Sequence, residues 1–169
     1  MKHLQETVGL MNEELRQQLD LKLNISDTSA YDGECMSRCL SRRSHQVRRF
    51  KIEMTGLSHR NFNKLVEGLK ECTITSLEIT DTDVHRFVTR FAPLVAPTQE
   101  LTLNTCGLDD DDVKDLIKIL PEGHGLKRLI LYGSAFGLDA VKALSEHLQH
   151  LPQLCVLWLM HEGPDNAGG

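Results

Sequence analysis

The segment LTLNTCGLDDDDVKDLIKIL, residues 101–120, carries two periodicities in succession. Leu101 and Leu103 alternate with Thr102, the pattern of a strand with one buried face. Val113, Leu116, Ile117 and Leu120 then recur three or four apart, the pattern of a helix with one apolar stripe. Between the two stand Cys106, Gly107, Leu108 and four consecutive aspartates, Asp109–Asp112. Alone, four carboxylates invite a metal ion. Ahead of a helix, they open it. The choice depends on whether the segment is unique or one of a series.

It is one of a series. LILYGSAF begins at Leu129 and LWLMHEGP at Leu157, so the offsets are 129−101 = 28 and 157−129 = 28. Val113, Leu116, Leu120 and Leu126 map onto Val141, Leu144, Leu148 and Leu154 with the same offset of 28. Looser copies precede these: Leu77, Ile79, Thr82 and Val84; Phe50, Ile52, Thr55 and Leu57; Leu21, Leu23, Ser26 and Thr28. Strands are therefore expected to start near residues 21, 50, 77, 101, 129 and 157, at separations of 29, 27, 24, 28 and 28. The shortened third copy has Pro93 and Pro97 near the expected end of its helix, where proline can stop a helix.

A strand and one helix per copy cannot enclose a core alone. Stacked copies can, with parallel strands on an inner face, helices on an outer face and leucines between. The expected fold class is α/β: a repeat solenoid in a short horseshoe arc, strands concave and helices convex. The pattern L-x-L-x-x-[N/C]-x-L is matched at Leu101, Leu103, Cys106 and Leu108. It resembles the leucine-rich repeat, specifically the long ribonuclease-inhibitor type. The resemblance spans about residues 19–160, as about six repeats. Other copies depart at the Asn/Cys position, with Thr55, Thr82, Ser134 and Ser26, whose small hydroxyls can still bond loop backbone. Residues 1–18 read as one helix, a cap or a partial repeat, from Leu4, Val8, Met11 and Leu15. Residues 161–169 read as a flexible tail.

Composition narrows the function classes. The chain has 169 residues, 40% hydrophobic and 25% charged, enough for one domain with a sizeable core. A net charge of −5 gives no general reason to expect nucleic acid. No run approaches the roughly 18 apolar residues of a membrane span, and Glu6 interrupts any signal-peptide core. A cytoplasmic protein is the expectation, with no membrane partner. Five cysteines, an odd count, suit reduced thiols. Cys35 and Cys39 share a helix face near His45, but no second ligand pair at zinc-finger spacing follows.

No catalytic or nucleotide-binding motif occurs, and the eight histidines are scattered. No enzyme activity, cofactor or metal is expected. Aligned with Ser58, Asp109 falls at a helix N-cap (109−58 = 51 and 108−57 = 51), and the next aspartates suit the positive end of the helix dipole. A calcium loop would need alternating ligands, a glycine and a closing glutamate. His147 and His150 suit a helix C-terminus. The segment from Arg38 to Lys51 holds Arg38, Arg42, Arg43, Arg48, Arg49 and Lys51, either a solvated face or a surface for an anionic partner.

The side chains between the strand leucines should line the inner face. Read along the stack, the middle positions are Lys22, Lys51, Glu78, Thr102, Ile130 and Trp158. The last are Asn24, Glu53, Thr80, Asn104, Tyr132 and Met160. The first are Asp20, Arg49, Ser76, Glu100, Arg128 and Val156. The N-terminal half is polar; the C-terminal half collects Ile130, Tyr132, Val156, Trp158 and Met160. Such a cluster marks either a contact patch or a surface covered by the tail or a further repeat.

The expected function is non-enzymatic protein recognition on the concave face. Trp158, Tyr132, Met160, Ile130 and Val156 would anchor a partner, and Arg128, Arg49 and Lys51 would steer it. The repeat type is similar to the sensor region of nucleotide-binding, leucine-rich-repeat innate immune receptors. By the same resemblance, alternatives are a small-GTPase regulator of the Ran GTPase activator type and a ubiquitin-ligase or scaffold adaptor. An open solenoid exposes its ends, so self-association through an end is also expected.

Overall fold

The computed structural model describes residues 20–26, 49–70, 73–120, 123 and 125–161, with the backbone alone described at 20–26, 49–52, 68, 134 and 161. The expected N-terminal helix, the Cys35/Cys39 pair, His45, Arg38–Arg48 and residues 162–169 of the tail lie outside it.

Among the described residues six strands form one sheet: β1 (Asp20–Ser26), β2 (Arg49–Thr55), β3 (Ser76–Thr80), β4 (Glu100–Asn104), β5 (Arg128–Ser134) and β6 (Val156–His161). Every neighbouring pair is parallel, and the spatial order is the sequence order. Each strand starts one residue before its expected position. β6 includes His161, which the sequence reading assigned to the tail. The described helices are α1 (His59–Leu69), α2 (Ala92–Val95), α3 (Asp110–Ile119) and α4 (Leu138–His147), with 3-10 turns at Val88–Phe91 and Leu148–His150. Among the described residues no helix is long and apolar enough to cross a membrane.

One face of the sheet supplies Leu77, Ile79, Leu101, Leu103, Leu129 and Leu131 to a single core. The helices cover that face with Phe62, Leu65 and Leu69 of α1, Val113 and Leu116 of α3, and Ala140 and Leu144 of α4. Each such side chain contributes about 1.5–3 kcal/mol through burial. The rings of Phe62 and Phe91 meet edge-on at 5.8 Å, joining α1 to the next connection.

The third connection departs from expectation. The prolines do not end a regular helix there. The chain runs as a 3-10 turn into the four-residue α2, with Pro93 in its first turn, where the missing N–H is not needed. Buried Thr98 closes this turn by donating its hydroxyl toward the carbonyls of Leu94 (2.7 Å) and Ile74 (3.3 Å).

Backbone bonds recur from strand to strand. The carbonyl of Thr75 accepts from the amides of Gln99 and Glu100; Gln99 accepts from Lys127 and Arg128; Lys127 accepts from Cys155 and Val156. At the other strand end, Gly56, Asp81 and Thr105 donate to Thr80, Asn104 and Tyr132. Gly56, Asp81, Thr105 and Gly133 all have left-handed backbone, with φ of 60°, 49°, 53° and 63°.

These bonds correct the alignment of β2. Ile52 pairs with Leu77 and Met54 with Ile79, an offset of 77−52 = 25, where the sequence reading had paired Phe50 with Leu77 at 27. Phe50, Ile52 and Met54 alternate equally well, and a slip of two leaves every side chain on its original face. Leu57, not Thr55, therefore occupies the position of Thr82 and Cys106. Its amide donates to the buried Thr82 hydroxyl (3.1 Å), which itself donates to the carbonyl of Thr80 (3.0 Å). Cys106 repeats this arrangement one strand on, its Sγ lying 3.3 Å from the carbonyls of Ile79 and Asn104. Burial pushes the Cys106 thiol up to about 12, and backbone hydrogen bonds at Thr82 and Asn104 only partly oppose this.

Candidate functional site

The helix-free face of the sheet carries the side chains between the core leucines. Parallel pairing aligns them in three rows: Ser76–Glu100–Arg128–Val156, Glu78–Thr102–Ile130–Trp158, and Thr80–Asn104–Tyr132–Met160. The rows expected for β3 to β6 are thus the ones formed. Hydroxyls and carboxylates occupy β3 and β4, including a Ser76–Glu100 hydrogen bond of 3.2 Å. Apolar and aromatic residues occupy β5 and β6. Trp158 is 52% exposed, Tyr132, Val156 and Met160 are exposed, and Ile130 is half-buried between Thr102 and Trp158. Arg128 is exposed beside Val156.

Arg49 and Lys51 do not join this group. With the corrected register, Lys51 lies in the row of Ser76 and Arg128, and Arg49 lies ahead of it, paired with Asp20. Both belong to β2, four strand spacings from β6, on the order of 19 Å. The structure brings together six of the eight expected residues: Arg128, Ile130, Tyr132, Val156, Trp158 and Met160.

The aspartate run lies on the opposite side, at the start of α3, and each member does something different. Asp109 is the N-cap: its side chain accepts from the amides of Asp111 and Asp112, both at 2.9 Å. Asp112 returns the bond, accepting from the Asp109 amide at 3.1 Å and completing a capping box. Asp112 is also 3% exposed and reaches back one unit. Its Oδ1 accepts from the amide of Arg86 (2.7 Å) and its Oδ2 lies 2.8 Å from His85 Nδ1. Asp110 reaches forward instead. Its Oδ1 accepts from the amides of Gly137 (2.6 Å) and Ala140 (3.3 Å), capping α4, whose own N-cap, Gly137, has no side chain. Asp111 points outward to Lys114.

Ligand-type atoms of His85, Asp109 and Asp112 lie within 4.8 Å of one another. Their geometry is that of the cap, since both Asp112 oxygens and one Asp109 oxygen already accept backbone N–H groups. Ser58 is likewise an N-cap by position, without a side-chain cap bond. The sequence reading missed His85 because its partner is 27 residues away. His147 sits at its own helix end, as expected, but its Nε2 also donates to the Leu120 carbonyl beyond α3 at 2.8 Å.

The Asp109 carboxyl is held below the usual range, chiefly by the Asp112 amide and further by His85 and the Asp111 amide, against a smaller opposing effect of burial. A carboxyl depressed in the folded state stabilises above its unfolded value of about 3.9, and this is lost as pH falls through the lower folded value. Asp109→Asn keeps an N-cap but cannot titrate. The stability difference between wild type and Asp109→Asn, from urea melts, is expected to shrink as pH falls from about 5 through the lower folded value. A difference independent of pH would refute the assignment.

No family model and no curated protein matches the chain.

Proposed function

We propose that the chain is a leucine-rich-repeat solenoid of ribonuclease-inhibitor type, acting as a non-enzymatic protein-recognition module. Support for the repeat reading comes from strands stacked in sequence order, the left-handed residue directly after β2, β3 and β4 and just before the end of β5, and the recurring carbonyl bonds at the starts of β4, β5 and β6. In this reading the helix-free face is the concave one, and the module serves as the sensor or regulatory region of an innate-immune-type receptor.

The observation that carries the recognition reading is the exposed strip formed by Trp158, Met160, Tyr132 and Val156, with half-buried Ile130 beside Trp158. Large apolar side chains outside a well-filled core cost solubility unless something covers them. Tryptophan, tyrosine and methionine are the residue types that anchor interfaces. A partner segment crossing the strands would bury Trp158 and Tyr132, pass Arg128, and reach Arg49 and Lys51 with an acidic end.

The test is alanine substitution at Trp158 and Tyr132 with affinity measured for partners captured by the wild-type chain. Each change is expected to weaken binding by about tenfold or more, as central aromatic anchors do. Trp158 is the chain's single tryptophan, so its emission should shift to the blue on binding. Unchanged affinity in a folded variant would remove the strip as the site.

A further inference from the structure

Arg128 stands at one end of the exposed apolar strip. It opens β5 and shares the helix-free face with Ile130 and Tyr132, because Leu129 and Leu131 between them are buried. Strands β3 to β6 contain no other lysine or arginine. The row neighbours of Arg128 are Glu100 on β4 and Val156 on β6. Glu100 is turned the other way: its Oε2 accepts from the Ser76 hydroxyl at 3.2 Å, on the β3 side. Among the described residues no carboxylate lies within ion-pair distance of the Arg128 guanidinium.

This placement sets a condition on whatever covers the strip. Trp158 lies diagonally across from Arg128, one strand over and two residues along, about 8 Å between Cα atoms. A segment that shields Trp158 and Val156 from water also shields Arg128. A guanidinium stripped of water without an acceptor is strongly unfavourable, and a cation brought beside it adds repulsion. A carboxylate satisfies it, since two oxygens match the guanidinium fork. Glu100 repels an anion on the β4 side and leaves the Val156 side for it. In an extended segment, residues i and i+2 face the same way about 6.7 Å apart, close to the spacing of Arg128 and Trp158. Other coverings lack this match. Residues 162–169, EGPDNAGG, carry carboxylates but no bulky apolar side chain to lay on Trp158. A further repeat would extend the sheet beside β6 and leave the helix-free face of β5 open.

We propose that the strip takes an extended segment of another protein in which an aspartate or glutamate lies two residues from a bulky apolar side chain. The carboxylate pairs with Arg128 and the apolar group packs on Trp158. This rests on the recognition reading and adds its selection rule: Arg128 admits acidic segments and disfavours neutral or basic ones.

Random linear peptides displayed on phage and selected on the full chain test it. The enriched peptides are expected to share an acid two positions from a bulky apolar residue, in either order. Their affinities, read by anisotropy of the labelled peptides, should fall with Trp158→Ala. Arg128→Glu should weaken them by about tenfold or more, and lysine in place of the peptide acid should restore binding to that variant. Arg128→Gln, which puts no second carboxylate beside Glu100, should also lose about tenfold or more. Both variants are expected to keep the wild-type circular dichroism spectrum, since Arg128 is exposed. Peptides that need Trp158 yet carry no carboxylate, or that bind Arg128→Gln as tightly as wild type, would overturn the proposal and leave the recognition reading intact. Failure of every enriched peptide to depend on Trp158 would overturn both.

Discussion

Asp112→Ala is expected to lower stability by about 2–4 kcal/mol, a fall in Tm of roughly 5–15 °C for a domain of this size. The Asp112 carboxyl is buried and takes part in three interactions: with the Asp109 amide, the Arg86 amide and the His85 ring. Two of these partners belong to the preceding unit. Removing the carboxyl leaves two part-buried backbone donors without their acceptor, and a fully buried donor left in this state costs about 1–3 kcal/mol, the upper limit for each. Arg86 adds to the loss, because its backbone is left-handed, with φ of 60°, in a residue without glycine's freedom, and the Asp112 bond holds it there. Asp111→Ala is the matched control. Asp111 lies in the same helical turn, and its exposed carboxylate pairs with the partly exposed Lys114 at 3.2 Å, so the change should stay within about 0.5 kcal/mol. Thermal melts of the two variants decide the matter, and equal melting temperatures would show that the run acts by charge alone.

Gly133→Ala should cost a similar amount, about 2–4 kcal/mol. Gly133 has φ of +63°, and a Cβ added there would stand 2.8 Å from Thr105 Oγ1 and 3.2 Å from the backbone N and Cα of Thr105. Two effects therefore add: a left-handed conformation, which costs an L-residue about 1–2 kcal/mol, and a clash in which backbone atoms cannot rotate away. Gly56→Ala separates them. Gly56 has nearly the same φ, +60°, with nothing within 4 Å of an added Cβ, so only the conformational part, about 1–2 kcal/mol, should appear. Placing Gly133→Ala in a Thr105→Gly background should recover part of the difference by removing the hydroxyl contact. If Gly133→Ala and Gly56→Ala prove equally costly, close approach between β5 and the turn after β4 is not what requires glycine.

Both predictions concern joints between units. The first joint holds the outer, helical layer and the second the strand ends. The exposed apolar strip lies on β5 and β6: damage at the first joint would reach it through the arrangement of the strands, whereas at the second Gly133 directly follows Tyr132 of the strip, whose carbonyl accepts from the Thr105 amide.

Much of this was legible in the sequence. The alternation at Leu101/Leu103 and its copies 28 residues on located β4, β5 and β6 to within one residue. Local periodicity is enough for this, because each strand buries one face and each helix one stripe. The rows holding Trp158, Tyr132 and Arg128 followed from strand parity. The capping role of Asp109 was readable because an N-cap is a contact over three residues.

What the sequence alone could not decide was everything set by a partner one unit away. The β2 register was ambiguous because Phe50, Ile52 and Met54 fit the core face equally, and only the bonds from Gly56 and Leu57 to the next unit select among them. Val141 read as core because Val113 is core; its exposure depends on a neighbour that the local pattern does not encode. The aspartate run shows the division most clearly. The sequence determined that four carboxylates begin a helix. Only the tertiary structure decided that Asp112 reaches back, Asp110 reaches forward and Asp111 faces outward, because side-chain direction at a helix start is set by how the next and previous units pack against it.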